Sequence, residues 1–426
     1  MSITPSDSAF NFDTISSEIR SQFPIFDNNV NHKPLVYLDS GATCQKPQQV
    51  IDSINNFYSK SYSSNHSVHF LANECSLMVE KTRHIVAQFI NAKDSEIVLT
   101  SGATDSLNLI ANSLLFGYLE QSGLRLDQNS TILISIAEHH SNLLPWQRLA
   151  RIIGCNIVYF GLDDNGSINM QELENQLIKI NKTTTNLICV NHISNVFGLI
   201  NDINAISQLA KNYGALTIVD GTQAVAHIKV DVQEIDCDFY CFSGHKIYGP
   251  TGVGVLFAKK VLMEQLSNNK VGGEMVQEVS TTGNYYKESP WRLETGTANF
   301  AGITGLGNAL EWFETNRFKI EIIESFLTQY LSDKLKSIDN LTIYGYCDNL
   351  KNKIPLFSCN IKGVNGLDLA TELDLSGIAI RSGQHCAGLL HQHLDISSSW
   401  RVSLACYNNI NDIDYLVQKL IFLIKK

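Results

Sequence analysis

The segment Asp238-Phe-Tyr-Cys-Phe-Ser-Gly-His-Lys-Ile-Tyr-Gly-Pro-Thr-Gly252 passes from an apolar strand pattern straight into polar and turn-forming residues. Phe239, Tyr240, Cys241 and Phe242 suit a strand buried on both faces, and Gly249-Pro250 then breaks the chain into a turn. Between them stand Ser243, Gly244, His245 and Lys246. A lysine directly after a core strand either snorkels to water or stays desolvated, and desolvation lowers its pKa and suits it to Schiff-base chemistry. Ser243 and His245 can donate hydrogen bonds to a phosphate beside it. The preceding strand pattern, Leu216-Thr-Ile-Val-Asp220, also ends in a polar residue and is followed by Gly221-Thr222-Gln223. An aspartate there either caps the next helix or points into the ligand crevice at the carboxyl edge of an open sheet. Asp220 and Lys246 on successive strand ends form a more specific pattern, in which the acid holds a pyridinium nitrogen protonated while the lysine binds the cofactor's carbonyl.

Working outward, strand-like apolar runs fall at 96–100, 131–136, 155–160, 186–193, 216–220 and 239–242, with helical patterns between most of them. One of these, 203–213, closes at Gly214 as a C-cap. Buried strands alternating with helices predict an α/β fold with a mostly parallel sheet covered on both faces. Helices are also expected at 13–23, 48–60 and 77–90. After about residue 300 the texture changes to an α+β module opened by a long helix near 304–326. The expected organisation is an N-terminal arm over 1–30 packed on the smaller domain, a large domain over 31–300, and a small domain over 301–426. The Gly-, Thr- and Asn-rich stretch 268–290 is expected to be a mobile connector.

Composition bounds the class. The chain has 426 residues, 44 % apolar and 17 % charged, enough for a large core and too apolar for a disordered chain. A formal charge of -10 without a Lys/Arg block argues against nucleic acid as a partner. No apolar stretch of about 18 residues predicts a membrane span, and the first residues do not form a signal peptide. Ten cysteines without a C-x-x-C pair suggest buried thiols in a reducing, cytoplasmic setting.

Further segments fit a phosphorylated, flat ligand. In Thr100-Ser-Gly-Ala103-Thr104-Asp105, between strand and helix patterns, free N–H groups and a hydroxyl can cradle a phosphate, although a simple capping turn is the equal alternative. His139, after the 131–136 strand, can stack on a planar ring and shuttle protons, and Asn195 can bind a ring hydroxyl. In Arg381-Ser-Gly-Gln384-His385-Cys386-Ala, the thiol near His385 and Arg381 can ionise and attack sulfur. His385, Cys386, His391 and His393 are spaced tightly enough for a metal tract, but no second ligand pair follows, so no metal is expected. Arg381 and Arg401, read as lying at strand starts or ends, suit an α-carboxylate through their planar forks.

Taken together, these motifs resemble the class V aminotransferase group of pyridoxal-phosphate enzymes, and most closely the SufS-type (group II) cysteine desulfurases and selenocysteine lyases. The likeness runs from Phe23-Pro-Ile-Phe and Val36-Tyr-Leu-Asp-Ser-Gly-Ala-Thr-Cys-Gln-Lys-Pro47 to Trp400-Arg-Val-Ser-Leu-Ala-Cys-Tyr-Asn408. It implies a PLP-dependent transferase of fold type I, with a seven-stranded-type sheet and a small C-terminal domain carrying the cysteine loop. Pyridoxal 5'-phosphate is the implied cofactor. Lys246 becomes the Schiff-base lysine, Asp220 the partner of the pyridine nitrogen, Gln223 and Asn195 the contacts to the ring hydroxyl, and His139 the stacking residue. Ala103, Thr104, Ser243 and His245 fall at the phosphate, Arg401 and Arg381 at the substrate carboxylate, and Cys386 on the persulfide-forming nucleophile. Thr297 falls on a loop that reaches the partner protomer's phosphate, which implies a homodimer.

The resemblance implies conversion of L-cysteine to L-alanine, with sulfur passed to an acceptor protein for iron-sulfur clusters or other biosynthesis. Selenocysteine lyase or C–S β-lyase chemistry on the same scaffold, and a non-catalytic protein that has kept the fold, are the alternatives. Departures mark a specialised member: Ser63 to His69 lacks the family's Arg and Gly, Ser101 and Ala103 replace Arg and Thr, Gln384 replaces His, and Ala298 replaces Pro.

Overall fold

The computed structural model describes residues 12–65, 67–345 and 349–424. Its centre is a seven-stranded sheet in the order Ile97–Thr100, Gly254–Ala258, Phe239–Ser243, Ala215–Asp220, Asn186–Asn191, Thr131–Ser135, Asn156–Phe160. The last five strands run parallel, while Gly254–Ala258 is antiparallel to both of its neighbours. Alternate side chains of Phe239–Ser243 enter different cores: Phe239 and Cys241 join Val98, Ile132 and Trp146 on one face, Tyr240 and Phe242 join Leu133, Val219 and Val255 on the other. A strand buried on both faces reads as a continuous apolar run, which is why its sequence shows no alternation.

This architecture aligns the polar strand ends. Ser243, Asp220 and Asn191 terminate neighbouring parallel strands, with Asp220 level with Asn191 on one side and Cys241 on the other. Thr100 ends its strand on the same edge, because two antiparallel pairings across Gly254–Ala258 restore the direction. Gly254 is forced there: a Cβ would lie 2.4 Å from Gly102 Cα, in the turn that opens the helix Ala103–Glu120. Ligands of open α/β sheets collect outside this carboxyl edge.

The second module is a four-stranded antiparallel sheet in the order Leu341–Tyr344, Leu356–Ile361, Ser399–Ser403, Arg381–Gly383. The helix Gly366–Asp374 packs on it, and Ile410–Ile424 packs on that helix. A helix of 37 residues, Phe300–Lys336, spans roughly 55 Å. It packs on the helices Gln48–Asn56 and Phe70–Phe89, and also on Phe12–Arg20 and Ile410–Ile424. The N-terminal helix is tied down by Arg20, whose Nη1 donates to Tyr407 O at 2.7 Å and Asp412 Oδ2 at 2.9 Å. Val36–Tyr37 adds a parallel pairing to Ile378–Ala379, and Asp39 bridges to Ser403. That crossing carries Gly41 and Ala42 to the carboxyl edge of the large sheet.

Several boundaries differ from the sequence reading. The helix expected at 77–90 begins at Phe70, because His69 Nδ1 caps it by accepting from Ala72 N. The stretch 268–290 holds an antiparallel hairpin, Val276–Val279 with Asn284–Tyr286. Gly254–Ala258 escaped the reading because its short apolar run follows directly on a Gly/Pro turn. Arg401 stands at the centre of its strand, not at an end, so its side chain is fixed by neighbours on both sides. His66 of the altered 63–69 loop lies outside the described residues.

Candidate active site

A cavity of about 310 Å³ opens between the carboxyl edge of the large sheet and the small sheet, within the usual range for a small-molecule site. Lys246, Asp220, Gln223, Asn195, His139, Ala103, Thr104, Ser243, His245, Arg381, Arg401 and Cys386 all line it. The structure thus brings together every candidate except Thr297, which lies exposed on a loop elsewhere.

Lys246 ends a single 3-10 turn that follows Phe239–Ser243, and its Nζ donates to Gly41 O. Gln223 Nε2 donates to the same carbonyl at 2.9 Å. Burial, reinforced by Arg401 and opposed by Cys44, Asp39 and Asp220, lowers the lysine from 10.5 to about 7. A lowered lysine pKa means that the neutral, nucleophilic amine predominates above that value. Reductive methylation of residue 246, followed by mass spectrometry across neutral pH in protein stripped of any bound carbonyl compound, should therefore show a midpoint close to about 7. A midpoint at the ordinary lysine value would remove the physical basis for its nucleophilicity.

Asp220 is buried, and its Oδ1 accepts from Thr222 N at 3.0 Å. Burial pushes the His139 imidazole below its ordinary value, against the pull of Asp220, so the neutral ring is favoured. Its Nδ1 accepts from Ser141 N at 3.1 Å, which assigns the hydrogen of that neutral ring to Nε2. The loop is pinned by Glu138, a residue the sequence reading passed over. Glu138 Oε1 accepts from Asn191 N and Nδ2 at 2.8 and 2.7 Å, and Oε2 accepts from Asn142 Nδ2 at 2.6 Å. Burial raises this carboxyl well above its usual range.

At the other end of the cavity, the helix Ala103–Glu120 begins at Gly102, which has no side chain to cap it. Ser243 Oγ accepts from Ala103 N at 2.9 Å, and Thr104 Oγ1 lies 2.7 Å from Ser141 Oγ. Free N–H groups of the first turn and the helix dipole favour an anion here. Burial, with Lys246 and Lys46 nearby, holds His245 down to about 4, so it serves as a neutral hydrogen-bonding group.

The small sheet supplies the remaining wall. Arg381 and Arg401 are directly paired across adjacent strands. Arg401 Nη1 donates to Asn195 O at 2.8 Å, and Asn195 Nδ2 donates to His385 O at 2.8 Å. Cys386 is exposed and follows His385, and both adopt left-handed backbone, with φ of 56° and 51°. Two successive non-glycine residues there cost of order 1–3 kcal/mol each and persist only when their surroundings hold them. The bond to His385 O and that from His140 N to Cys386 O, at 2.7 Å, do so. In contrast, seven of the eight other cysteines among the described residues are buried. His385 and His391 both share Ser399 Oγ, at 3.0 and 3.1 Å, and His391 Nδ1 donates to Ala387 O.

The donor set fits pyridoxal 5'-phosphate. A desolvated amine stands one turn beyond a strand end and a buried acid ends the adjacent strand, a helix start with no capping side chain of its own lies at one end, and two guanidiniums lie at the other. Three buried polar atoms of the lining residues, Thr222 Oγ1, His385 Nδ1 and Arg401 Nε, also lack a protein partner.

Known proteins resemble this chain over nearly its whole length. A "Probable cysteine desulfurase" of Halalkalibacterium halodurans is 39 % identical over 95 % of this chain and 96 % of its own. A "Cysteine desulfurase" of Escherichia coli is likewise 39 % identical, over 95 % and 97 %. The apo structure of the cysteine desulfurase from Thermococcus onnurineus superposes with a TM-score of 0.88 at 32 % identity, covering 96 % of this chain and 98 % of that one. The cysteine desulfurase CsdA from Escherichia coli gives 0.86 at 34 %, covering 98 % and 99 %. The pattern described as "Aminotransferase class-V" matches residues 36–416, and the chain belongs to that family.

Proposed function

We propose that this protein is a pyridoxal 5'-phosphate-dependent cysteine desulfurase, converting L-cysteine to L-alanine and holding the released sulfur as a persulfide on Cys386. The observation that carries this reading is the convergence of Lys246, Asp220, Cys386 and two arginines on one cavity. Ala103, Thr104, Ser243 and His245 would hold the phosphate, Asp220 the ring nitrogen, Gln223 and Asn195 the ring hydroxyl, with His139 stacked on the ring. When bound, the cofactor supplies an electrophilic carbonyl carbon and a ring that draws electrons from the substrate's α-carbon.

The chain's own residues do the rest. Arg401 and Arg381 hold the substrate carboxylate, which fixes the α-carbon relative to Lys246. Lys246, neutral near physiological pH, takes the α-proton and returns it. The Cys386 thiolate attacks the substrate sulfur, forming the S–S bond as the C–S bond breaks, and His139 exchanges protons through Nε2. The exposed position of Cys386 lets an acceptor thiol reach the persulfide. A homodimer, with Thr297 reaching the second chain's phosphate, and delivery of sulfur to iron-sulfur cluster or related biosynthesis in the cytoplasm complete the proposal. No helix of the described residues is long and apolar enough to cross a membrane.

Adding cysteine to the purified yellow protein should yield alanine, with a persulfide located on residue 386 by mass spectrometry. Pyruvate and ammonia in place of alanine would replace this reading with a β-elimination.

A further inference from the structure

The central strand of the small sheet, Ser399–Ser403, turns alternate side chains towards the large domain. On that face Ser403 Oγ accepts from Gly41 N at 2.7 Å and Arg401 Nη1 donates to Asn195 O. Ser399, two residues before Arg401, shares the face. Its hydroxyl meets two histidines of the 385–393 tract whose spacing invited a metal reading, His385 Nε2 at 3.0 Å and His391 Nε2 at 3.1 Å. The direction of each bond follows from one end. Ala387 O can only accept, so His391 Nδ1, at 3.0 Å, carries the hydrogen. Burial lowers both imidazoles below their ordinary value, with Arg401 adding to the effect on His385, so both rings are neutral. His391 Nε2 is then bare and accepts from the Ser399 hydroxyl. That spends the hydroxyl's hydrogen, so Ser399 Oγ accepts from His385 Nε2–H. His385 Nδ1 is left without a hydrogen, and it is the ring nitrogen that has no protein partner.

We propose that His391 is a positioning residue for sulfur transfer, which acts through Ser399 and Ala387 to hold the backbone on both sides of Cys386. This rests on the reading of Cys386 as the nucleophile. His391 and Ser399 are buried and do not line the cavity, whereas His385 and Cys386 do. The left-handed backbone at His385 and Cys386 persists only where its surroundings hold it. Asn195 and His140 hold the carbonyls of residues 385 and 386. The relay adds a hold on the His385 ring and, on the far side of the thiol, on Ala387 O. Reacting atoms must meet at about 3–3.5 Å, and a misplacement of about 1 Å costs on the order of a hundredfold in rate.

The test joins a spectroscopic measurement on the wild type to kinetics on three variants, all in cofactor-loaded protein. Nitrogen NMR of protein with isotope-labelled histidine should show the Nδ1–H tautomer for His391 and the Nε2–H tautomer for His385. The signals are assigned by their loss in His391→Gln and His385→Gln. His391→Leu and Ser399→Ala should keep the visible absorbance and, within about twofold, the KM for cysteine, while kcat for alanine release falls about tenfold. His391→Gln, whose Oε1 can replace Nε2 in accepting from Ser399, should recover kcat to within about threefold of wild type. A merely structural role would reduce the yield of folded, loaded protein and leave turnover per loaded site unchanged. Failure of the desulfurase reading would show separately, as no alanine from the wild type with the tautomers as stated. If one of the two disrupting variants does not fold, the other decides, and the wild-type spectra decide if neither folds. Reversed tautomers, or kcat within about twofold of wild type in folded His391→Leu or Ser399→Ala, overturn the proposal.

Discussion

Lys246→Ala is expected to lower cysteine turnover by at least about 10³-fold, because one side chain is asked both to bind the cofactor covalently and to move the α-proton. The amine can do both because its environment lowers its pKa to about 7: burial first, then the positive charge of Arg401. The loss should be accompanied by loss of borohydride fixation of the cofactor, which in the wild type should label residue 246 alone. The phosphate end uses the turn at Gly102 and Ser243, which the substitution leaves in place. Non-covalent cofactor should therefore still copurify. Turnover retained within about tenfold of wild type, or borohydride labelling of another residue, would sink the assignment of Lys246 and the account built on it.

Cys386→Ala separates the cofactor chemistry from the sulfur chemistry. The variant is expected to keep the wild-type visible absorbance, to bind cysteine, and to release alanine at least about 10²-fold more slowly, with no persulfide. The fold should barely notice. The thiol is exposed, and the left-handed backbone at 385 and 386 is held by bonds to backbone carbonyls from Asn195 and His140, which the substitution does not touch. Cys386→Ser, with a far less nucleophilic hydroxyl, should behave like the alanine variant. Alanine release at the wild-type rate would show that another group accepts the sulfur. Deep burial raises the thiols of Cys44, Cys189 and Cys241 above their ordinary value, so they are poor substitutes.

Much of this was legible locally. Asp220 and Lys246 were readable because each follows a run whose apolar character marks a buried strand, and the end of a parallel strand is a position with a known direction. Cys386 stood out because its neighbours are Gly, Gln, His and Arg, whereas most other cysteines sit in apolar runs. Glu138 gave no comparable signal: a carboxylate beside two histidines reads as a solvated turn until its bonds to Asn191 and Asn142 are seen. Arg401 was placed at a strand end because Trp400-Arg-Val-Ser-Leu does not reveal that the strand begins at Ser399 and is flanked on both sides.

By itself the sequence determined the α/β class, the mostly parallel sheet and the chemistry carried at its strand ends, because apolar periodicity and chain-breaking residues act over a few neighbours. Only the tertiary structure decided that Gly41 accepts from Lys246 and Gln223, and that Asp39 joins Arg381 to Arg401. These partners are separated by 205, 182, 342 and 362 residues. A hydrogen bond or ion pair depends on distances of a few ångströms in space, and no local pattern encodes which remote segment the folded chain will bring within reach.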